Sequence, residues 1–225
     1  MIIVTGASRG LGRAIADRLQ KSGKEVLGLA REASNLRFEF KSCDVSNYNS
    51  VKDVARELRR EKRELEGTIH AAGIASMNLA VTTPPGTTQK IIQTNLVGTI
   101  NCCQLFAPLM IRRLSGSIIN FSTIAVALGL KGESVYAASK AGVEGFSRAF
   151  AREMADFNIR VNCIAPGPIK TDLLKGVSED QINAIISQQI IPKDFSPEDV
   201  CDLSEFLIGS QSSSLSGQVL NVGGV

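Results

Sequence analysis

Apolar and polar positions along this chain follow two alternating patterns. Short runs rich in Val, Ile and Leu predict strands at residues 1–5, 25–30, 37–42, 68–72, 117–122, 159–165 and 218–222. Longer segments with apolar residues at helical spacing predict helices at about residues 11–21, 50–66, 87–113, 134–157 and 197–208. Strands that alternate with helices are typical of a parallel sheet with helices on both faces. The pattern therefore predicts an α/β fold.

The connection between the second and third predicted strands is unusually short. Only residues 31–36 separate them, whereas a parallel crossover usually takes at least about ten to twelve residues and contains a helix. We predict that this crossover lacks its helix and consists of a loop or a single turn. An antiparallel third strand would contradict the prediction.

Length, charge and the first residues narrow the class of protein. The chain has 225 residues and a formal net charge of +3, which fits one large core and indicates no nucleic-acid or anionic-membrane partner. Met1 is followed directly by apolar residues without a basic segment, so we expect no secretory signal. The uncharged stretches 68–89 and 91–111 contain Gly, Pro and amide residues that a membrane span would avoid. We predict a cytoplasmic protein with residues 1–225 in a single domain.

Cysteine and histidine usage argues against several kinds of site. The cysteines are odd in number and form no C-x-x-C pair, as expected in a reducing compartment; they are Cys43, Cys102, Cys103, Cys163 and Cys201. Their spacing supplies no ligand set for a structural zinc ion, so we expect no metal site. The single histidine, His70, lies in an apolar run, which favours a packed side chain over a catalytic base. Hydrolase and metalloenzyme mechanisms are therefore disfavoured.

A glycine-rich turn, TGASRGLG at residues 5–12, lies between the first predicted strand and the first helix. Its glycines permit positive φ angles and a close approach of backbone to a phosphate, while the helix N-terminus supplies free N–H groups. This order of strand, turn and helix at the start of an α/β chain is typical of a dinucleotide site. The alternative is a tightly packed turn without a ligand.

The glycine spacing and four later motifs together resemble those of the short-chain dehydrogenase/reductase family. The later motifs are Asp44-Val45 after the third strand, Asn95 within a long helix, YAASK at residues 136–140 and PGPIKT at residues 166–171. They occur in the family's order and cover essentially the whole chain. The resemblance implies a single doubly wound Rossmann-type domain whose seven parallel strands have the order 3-2-1-4-5-6-7.

The resemblance also implies four catalytic residues, namely Asn95, Thr123, Tyr136 and Lys140. Tyr136 and Lys140 lie one turn apart on a predicted helix, and an ammonium near a phenol lowers the pKa of the phenol. In the family, the tyrosine gives its proton to a carbonyl oxygen as hydride reaches the carbon. The lysine lowers the pKa of the tyrosine and binds the nicotinamide ribose. Asn95 would organise a water near Lys140; an amide satisfied inside its own helix is the alternative.

A hydroxyl that holds the substrate carbonyl stands thirteen residues before the tyrosine in the family. In this chain that position is Thr123, with Ser122 beside it. Adjacent strand residues face opposite sides, so only one of the two can face the cofactor. The spacing favours Thr123, where the family more often has Ser. A second departure is HAAG at residues 70–73 in place of NNAG, which removes bracing amides and is expected to affect local stability more than activity.

Cofactor contacts are expected throughout these motifs. They are assigned to Gly6, Ser8, Arg9, Gly10, Leu11, Gly12, Arg31, Asp44, Val45, Ala72, Gly73, Tyr136, Lys140, Pro166, Gly167, Ile169 and Thr171. Relatives that prefer NAD have an acid at the end of the second strand, where this chain has Ala30. The guanidiniums of Arg9 and Arg31 suit a 2′-phosphate, whereas Glu32 could reach the ribose. We therefore predict NADP(H), with NAD(H) as the second choice.

The layout is most similar to that of the 3-oxoacyl-carrier-protein reductase branch of the family. This similarity implies reduction of a 3-oxoacyl thioester in fatty acid biosynthesis, with an acyl carrier protein as a candidate partner. The acyl arm would enter over residues 172–195, whose apolar residues either form a lid or pack on the domain; they are Leu173, Leu174, Ile182, Ile185 and Ile186. Arg112 and Arg113 lie close to the branch's docking arginines, but Leu114 and Phe157 occupy those positions.

Two alternative functions are compatible with the same residues. One is the reduction of another small ketone or the oxidation of a secondary alcohol, since loops rather than the fold set the substrate. The other is a non-catalytic NADP(H) sensor or scaffold, although sensing would require none of the four catalytic residues. The resemblance further implies a homotetramer or homodimer formed through the helices around Asn95 and Tyr136.

Overall fold

The computed structural model describes residues 1–33, 35–174 and 176–225. Seven strands form one sheet in this described part of the chain: β1 (Ile2–Thr5), β2 (Val26–Ala30), β3 (Glu39–Ser42), β4 (Gly67–His70), β5 (Gly116–Phe121), β6 (Ile159–Pro166) and β7 (Val219–Val222). Every neighbouring pair is parallel, and the order across the sheet is β3-β2-β1-β4-β5-β6-β7. The predicted fold class and strand order are therefore confirmed.

Helices cover both faces of the sheet. They are α1 (Gly10–Lys21), α2 (Tyr48–Arg60), α3 (Pro85–Ile92), α4 (Gly98–Ile111), α5 (Ala125–Leu128), α6 (Ser134–Met154), α7 (Glu179–Ile186) and α8 (Pro197–Ile208). Apolar side chains of α2, α4 and α6 form one core with strand residues such as Ile3, and those of α1 and α8 form a second core with residues such as Ile2. Successive strand side chains face opposite sides, so neighbours in β1 belong to different cores.

The connection from β2 to β3 contains no helix among its described residues, 31–33 and 35–38. β3 nevertheless pairs parallel to β2, which confirms the prediction of a bare crossover. Phe38 packs against β2 at Gly28, where an added Cβ would lie 2.4 Å from the Phe38 ring. The guanidinium of Arg13 lies 5.7 Å from the centre of the same ring. These contacts hold the crossover against the sheet without a helix.

Two predicted helices have different bounds in the structure. The helix predicted at 87–113 is interrupted by a π-helical turn, Gln93–Val97, which separates α3 from α4. The helix predicted at 50–66 begins and ends earlier. Asn47 caps it by accepting hydrogen bonds from backbone N–H groups of its first turn, and Lys62 has a left-handed φ of 55° that stops it from continuing.

One stretch of the described chain, Pro85–Ile111, is long and apolar enough to cross a membrane by length and composition alone. Half of its most apolar window is buried inside the protein. Its residues Cys102, Cys103 and Phe106 belong to the core that α2, α4 and α6 form on the sheet. Packing within the protein therefore accounts for the apolar character of this stretch.

Candidate active site

A cleft of about 1200 Å³ runs along the edge of the sheet where the strands have their carboxyl ends. It is lined by residues that directly follow six of the strands, β1 to β6. Ligands of open α/β sheets bind at this edge, where the strand order reverses between β1 and β4. Every residue predicted to contact the cofactor lines the cleft, and so does Thr123. Asn95 is fully buried and does not reach it.

The glycine-rich turn packs closely against α1 and the segment after β4. Gly6 and Gly10 have φ angles of +70° and +57°, which favour glycine. A Cβ added to Gly12 would lie 2.4 Å from the carbonyl oxygen of Gly6, and one added to Gly6 would lie 2.9 Å from the backbone of Ala72. A Cβ added to Gly10 would have its nearest contact at 3.8 Å, with Thr171. The turn thus leaves room at the start of α1, and it fits a dinucleotide pyrophosphate.

Positive charge lines the cleft at the ends of β1 and β2. Arg9, in the glycine-rich turn, and Arg31, directly after β2, are exposed and line the cleft. Neither guanidinium has an ion-pair partner among the described residues. Asp44 is fixed after β3, because its carboxylate accepts hydrogen bonds from the N–H and the hydroxyl of Ser46 at 2.9 and 2.6 Å. Both arginines are therefore free to pair with an anionic ligand.

Tyr136 lies in the first turn of α6 and lines the cleft with only 7% of its surface exposed. Burial raises the pKa of Tyr136, the negative charge of Glu133 raises it further, and the Thr123 hydroxyl acts in the opposite direction. The Lys140 ammonium lies 6.0 Å from the centre of the ring, and burial and Glu133 dominate the direction of this pKa. A lowering of the pKa by Lys140 stays a prediction. The phenol is neutral and holds its proton.

Lys140 is buried one turn after Tyr136. Its Nζ donates a hydrogen bond to the Phe121 carbonyl at the end of β5, at 2.8 Å. Burial lowers the pKa of Lys140 to about 8. The side chain is therefore mostly protonated, and positively charged, at neutral pH. A Cβ added to Gly73 would lie 3.5 Å from Nζ, which shows how closely the chain after β4 approaches it. The structure thus places a cation in the lining of the cleft, one helical turn after the tyrosine.

Asn95 lies in the π-helical turn and connects two segments of the site. Its Oδ1 accepts from the Ile74 N–H at 2.8 Å, and its Nδ2 donates to the Ile74 carbonyl at 2.9 Å and to the Ser139 hydroxyl at 3.0 Å. Ser139 in turn donates to the Tyr136 carbonyl at 2.7 Å. The amide therefore fixes the chain after β4 relative to α6. The predicted water near Lys140 stays a prediction, and the bonds of Asn95 to Ile74 show that the amide is not satisfied within its own helix.

Thr123 and Ser122, both of which line the cleft, differ in their hydrogen bonds. The Ser122 hydroxyl is buried and donates to the Glu144 carboxylate at 2.6 Å. The Thr123 hydroxyl accepts a hydrogen bond from the Ala125 N–H at a longer distance of 3.3 Å. It also lowers the pKa of the Tyr136 phenol. The Ser122 O–H group is thus already bonded to Glu144. The Thr123 O–H group lies beside the phenol and can donate a hydrogen bond to a substrate.

The two hydroxyls therefore predict different effects of substitution. Thr123→Val is expected to lower kcat/KM by about a hundredfold, because a donor to the substrate oxygen is lost, while Thr123→Ser keeps the rate. Ser122→Ala is expected to leave kcat/KM unchanged and to lower the free energy of unfolding by about 1–3 kcal/mol, since Glu144 loses a buried partner. Steady-state kinetics and thermal unfolding of the three variants test this. A loss of rate confined to Ser122→Ala would reverse the assignment.

His70 is a packed residue of the sheet, and it does not line the cleft. Its Nδ1 lies 2.8 Å from the Asn120 Oδ1 on the neighbouring strand, and the Asn120 Nδ2 donates to the Ser147 hydroxyl at 2.7 Å. Burial lowers the pKa of His70 to about 4, so the imidazole is neutral. An imidazole thus bridges β4 and β5 where the family has an amide side chain.

Among the described residues, no group of three His, Cys, Asp or Glu side chains could hold a metal ion.

The segment predicted to form a lid has a mixed structure. A 3₁₀ turn, Asp172–Leu174, is followed by α7, whose capping box begins at Ser178. Leu173, Leu174 and Ile185 line the cleft, whereas Ile182 and Ile186 are buried. Ile182 and Ile186 therefore pack on the domain, and a lid formed by the residues that line the cleft stays a prediction.

Three groups at the site were missed by the sequence analysis. They are the Phe121 carbonyl, the Ile74 backbone and the Glu133 carboxylate. Backbone groups carry no signal in residue type, so the first two could not be found from sequence. Glu133 precedes Tyr136 by three residues, and residues three apart share a helix face. That spacing is the signal that could have identified it.

Known proteins resemble this chain over nearly its whole length. A family model described as enoyl-(acyl carrier protein) reductase matches residues 6–224. The 3-oxoacyl-(acyl-carrier-protein) reductase FabG of Chlamydia muridarum is 34% identical, over 99% of this chain and 95% of its own length. The structure of Thermoplasma acidophilum aldohexose dehydrogenase is 29% identical with a TM-score of 0.89, covering 98% of this chain and 91% of that one. A variant of actinorhodin polyketide ketoreductase with NADPH is 25% identical with a TM-score of 0.89, covering 99% and 95%.

The fold and the site define an NAD(P)-dependent oxidoreductase that acts on C=O or CH–OH groups. The chain belongs to the short-chain dehydrogenase/reductase family. The family and the class of enzyme predicted from the motifs are thereby confirmed.

Proposed function

We propose that this chain is an NADP(H)-dependent ketoreductase that reduces a 3-oxoacyl thioester to the 3-hydroxyacyl product. The observation that carries the proposal is the presence of Tyr136, Thr123 and the glycine-rich turn in one cleft, with Lys140 buried one helical turn after the tyrosine. The relative from Chlamydia muridarum, which is named a 3-oxoacyl reductase, supports the substrate class. The ketoreductase solved with NADPH supports the cofactor. In this proposal residues 1–225 act as one domain, with residues 172–195 as the substrate segment.

Each polar residue has a distinct part in the proposed reaction. The Thr123 hydroxyl donates a hydrogen bond to the carbonyl oxygen of the substrate, and Tyr136 gives its phenolic proton to that oxygen. The neutral phenol has a proton to give, but a raised pKa makes it a weaker acid, so the reaction requires stabilisation of the phenolate. When bound, the reduced nicotinamide supplies the hydride. The Lys140 ammonium stabilises the phenolate that remains after proton transfer.

The proposed preference for NADP(H) depends on the residues after β2. An acid at the end of β2 would bind ribose hydroxyls and repel a 2′-phosphate, and Ala30 leaves this position neutral. The exposed guanidiniums of Arg9 and Arg31 can pair with the 2′-phosphate. Glu32 lines the same cleft and is the residue that would favour NAD(H).

Replacing Ala30 with Asp is expected to reverse the cofactor preference. A new carboxylate beside the 2′-phosphate should lower kcat/KM with NADPH by about tenfold or more, and its hydrogen bonds to the ribose should raise kcat/KM with NADH. Steady-state kinetics with each cofactor at a fixed ketone concentration measures both changes. Ala155→Asp places the same charge on an exposed position just after α6 that does not line the cleft, and it should change neither value. A wild-type preference for NADH would contradict the proposal.

The substrate class is tested by following NADPH oxidation with acetoacetyl-CoA, an acetoacetyl carrier protein and a panel of free ketones. The proposal predicts turnover of the thioesters with the highest kcat/KM. Turnover of the free ketones alone would end the thioester proposal and leave a reductase of another small carbonyl compound. Tight NADPH binding without any turnover would favour a non-catalytic sensor.

The carrier protein itself has limited support as a partner. An acidic carrier needs unpaired basic residues near the mouth of the cleft, since such charges govern association. Arg113 Nη1 lies 3.3 Å from the Glu64 carboxylate, which satisfies one of the two candidate arginines. Leu114 is exposed at the position where the family has a docking residue. We therefore propose an acyl thioester as the substrate whether the acyl group is carried on a protein or on coenzyme A.

We also propose that the protein is cytoplasmic and forms a homodimer or homotetramer. The proposed contact surface includes the face of α6 on which Phe146 and Phe150 stack with ring centres 5.2 Å apart. Phe146 is only partly buried in the single chain. Burial of such an aromatic face in a second copy is a common source of stability for an interface.

A further inference from the structure

An acidic residue of the cleft has no part in the reaction derived above. Glu133 directly precedes α6, lines the cleft, and has only 7% of its surface exposed. Glu133 lines the same cleft as Thr123 and Tyr136 and precedes the tyrosine by three residues, and its negative charge raises the pKa of Tyr136. Apolar side chains that precede Glu133 in the chain, including Ile124 and Leu130, also line the cleft.

The burial of Glu133 is not explained by contacts within the protein. Among the described residues, its carboxylate has no hydrogen-bond or ion-pair partner. Although Glu133 occupies the N-cap position of α6, its side chain makes no capping hydrogen bond. The nearby cation, Lys140, donates instead to the Phe121 carbonyl. A carboxylate with so little exposed surface and no partner is destabilising, so its placement in the cleft calls for a role toward the ligand.

We infer that Glu133 determines substrate specificity: it selects neutral carbonyl compounds and excludes those with a carboxylate next to the reacting carbonyl. The inference deepens the proposed function and rests on it, because a 3-oxoacyl thioester is neutral at the position where the free 3-oxo acid carries a negative charge. Two carboxylates brought close together in a cleft of low dielectric repel strongly. A thioester meets no such repulsion and binds with its carbonyl at Tyr136 and Thr123.

The test compares acetoacetate with its neutral ethyl ester, two compounds that share the reacting carbonyl. The measured quantity is the ratio of kcat/KM for the ester to kcat/KM for the acid. The wild-type enzyme is expected to favour the ester. Glu133→Gln is expected to lower the ratio by about tenfold or more, because an isosteric amide removes the charge. Glu133→Asp keeps the charge and should keep the preference for the ester.

Glu179→Gln is the matched control. Because Glu179 lies in the proposed substrate segment, Glu198→Gln is used beside it: it makes the same charge change at an exposed position of α8 that does not line the cleft, and it should leave the ratio unchanged. A general effect of Glu133→Gln on folding or on the Tyr136 phenol would alter both rates alike and leave the ratio as it was. Thermal unfolding identifies a variant that fails to fold.

The outcome for Glu133 is separable from that of the proposed function. If acetoacetyl thioesters are not reduced but the ester and the acid are, the ratio still tests Glu133. If nothing is turned over, binding of the ester and of the acid to the NADPH complex, followed by NADPH fluorescence, gives a corresponding ratio. An unchanged ratio in Glu133→Gln, or a wild-type enzyme that takes both compounds equally, would overturn the inference.

Discussion

Replacement of Tyr136 by Phe is expected to lower kcat by about two to four orders of magnitude, the usual contribution of a positioned proton donor. The variant loses only the hydroxyl, so the ring keeps its buried place in α6 and at the cleft. NADPH affinity and the midpoint of thermal unfolding should therefore remain close to their wild-type values. Single-turnover kinetics at saturating NADPH separates the chemical step from binding.

The chain offers a matched control for this substitution. Tyr48, at the start of α2, is 45% exposed, and Tyr48→Phe removes the same atom away from the cleft. That variant should be indistinguishable from the wild type. A Tyr136→Phe variant that keeps more than about a tenth of the wild-type kcat would show that another group protonates the substrate.

Replacement of Gly12 by Ala is expected to abolish tight NADPH binding and to destabilise the fold by about 1–3 kcal/mol. An added Cβ would lie 2.4 Å from the carbonyl oxygen of Gly6, and because this neighbour is backbone, the glycine-rich turn must shift. The N–H groups of the turn and of α1 would then no longer converge on the pyrophosphate. Fluorescence titration with NADPH and chemical unfolding measure the two effects.

Gly145 is the matched control for Gly12. It also lies inside a helix, α6, but an added Cβ there would have no neighbour within 4 Å among the described residues. Gly145→Ala should leave NADPH affinity unchanged and should stabilise the helix by up to about 1 kcal/mol, as Ala usually does. Equal effects of the two substitutions would show that the close approach in the turn is unimportant.

Much of the fold could be predicted from the sequence because most of the strands, such as β1, β4 and β5, are buried on both faces and therefore form largely apolar runs. The bare crossover was predictable from its length alone. The π-helical turn was not, since residues 87–113 carry an uninterrupted helical pattern. Its cause is tertiary, because the Asn95 side chain in this turn forms hydrogen bonds with Ile74 and Ser139, which lie in other segments of the chain. Contacts between distant segments leave no local pattern.

The candidate site was predictable where its residues occur in motifs, as with the glycine-rich turn and the pair Tyr136 and Lys140. The electrostatics of the site could not be predicted from the sequence. Spacing places the ammonium one turn from the phenol, but only the structure shows that burial and Glu133 raise the pKa of Tyr136. Glu133 belongs to no motif, and its importance follows from its burial without a partner in the cleft.

The central claim is that this cleft reduces a carbonyl group by hydride transfer from NADPH. The most direct measurement uses NADPH with deuterium at the transferable position of the nicotinamide, acetoacetyl-CoA as substrate, and mass spectrometry of the product. The account predicts a 3-hydroxybutyryl product that carries deuterium on the reduced carbon, formed by the wild type and nearly absent with Tyr136→Phe. A chain that binds NADPH tightly yet transfers no deuterium to this or any other carbonyl compound would contradict it.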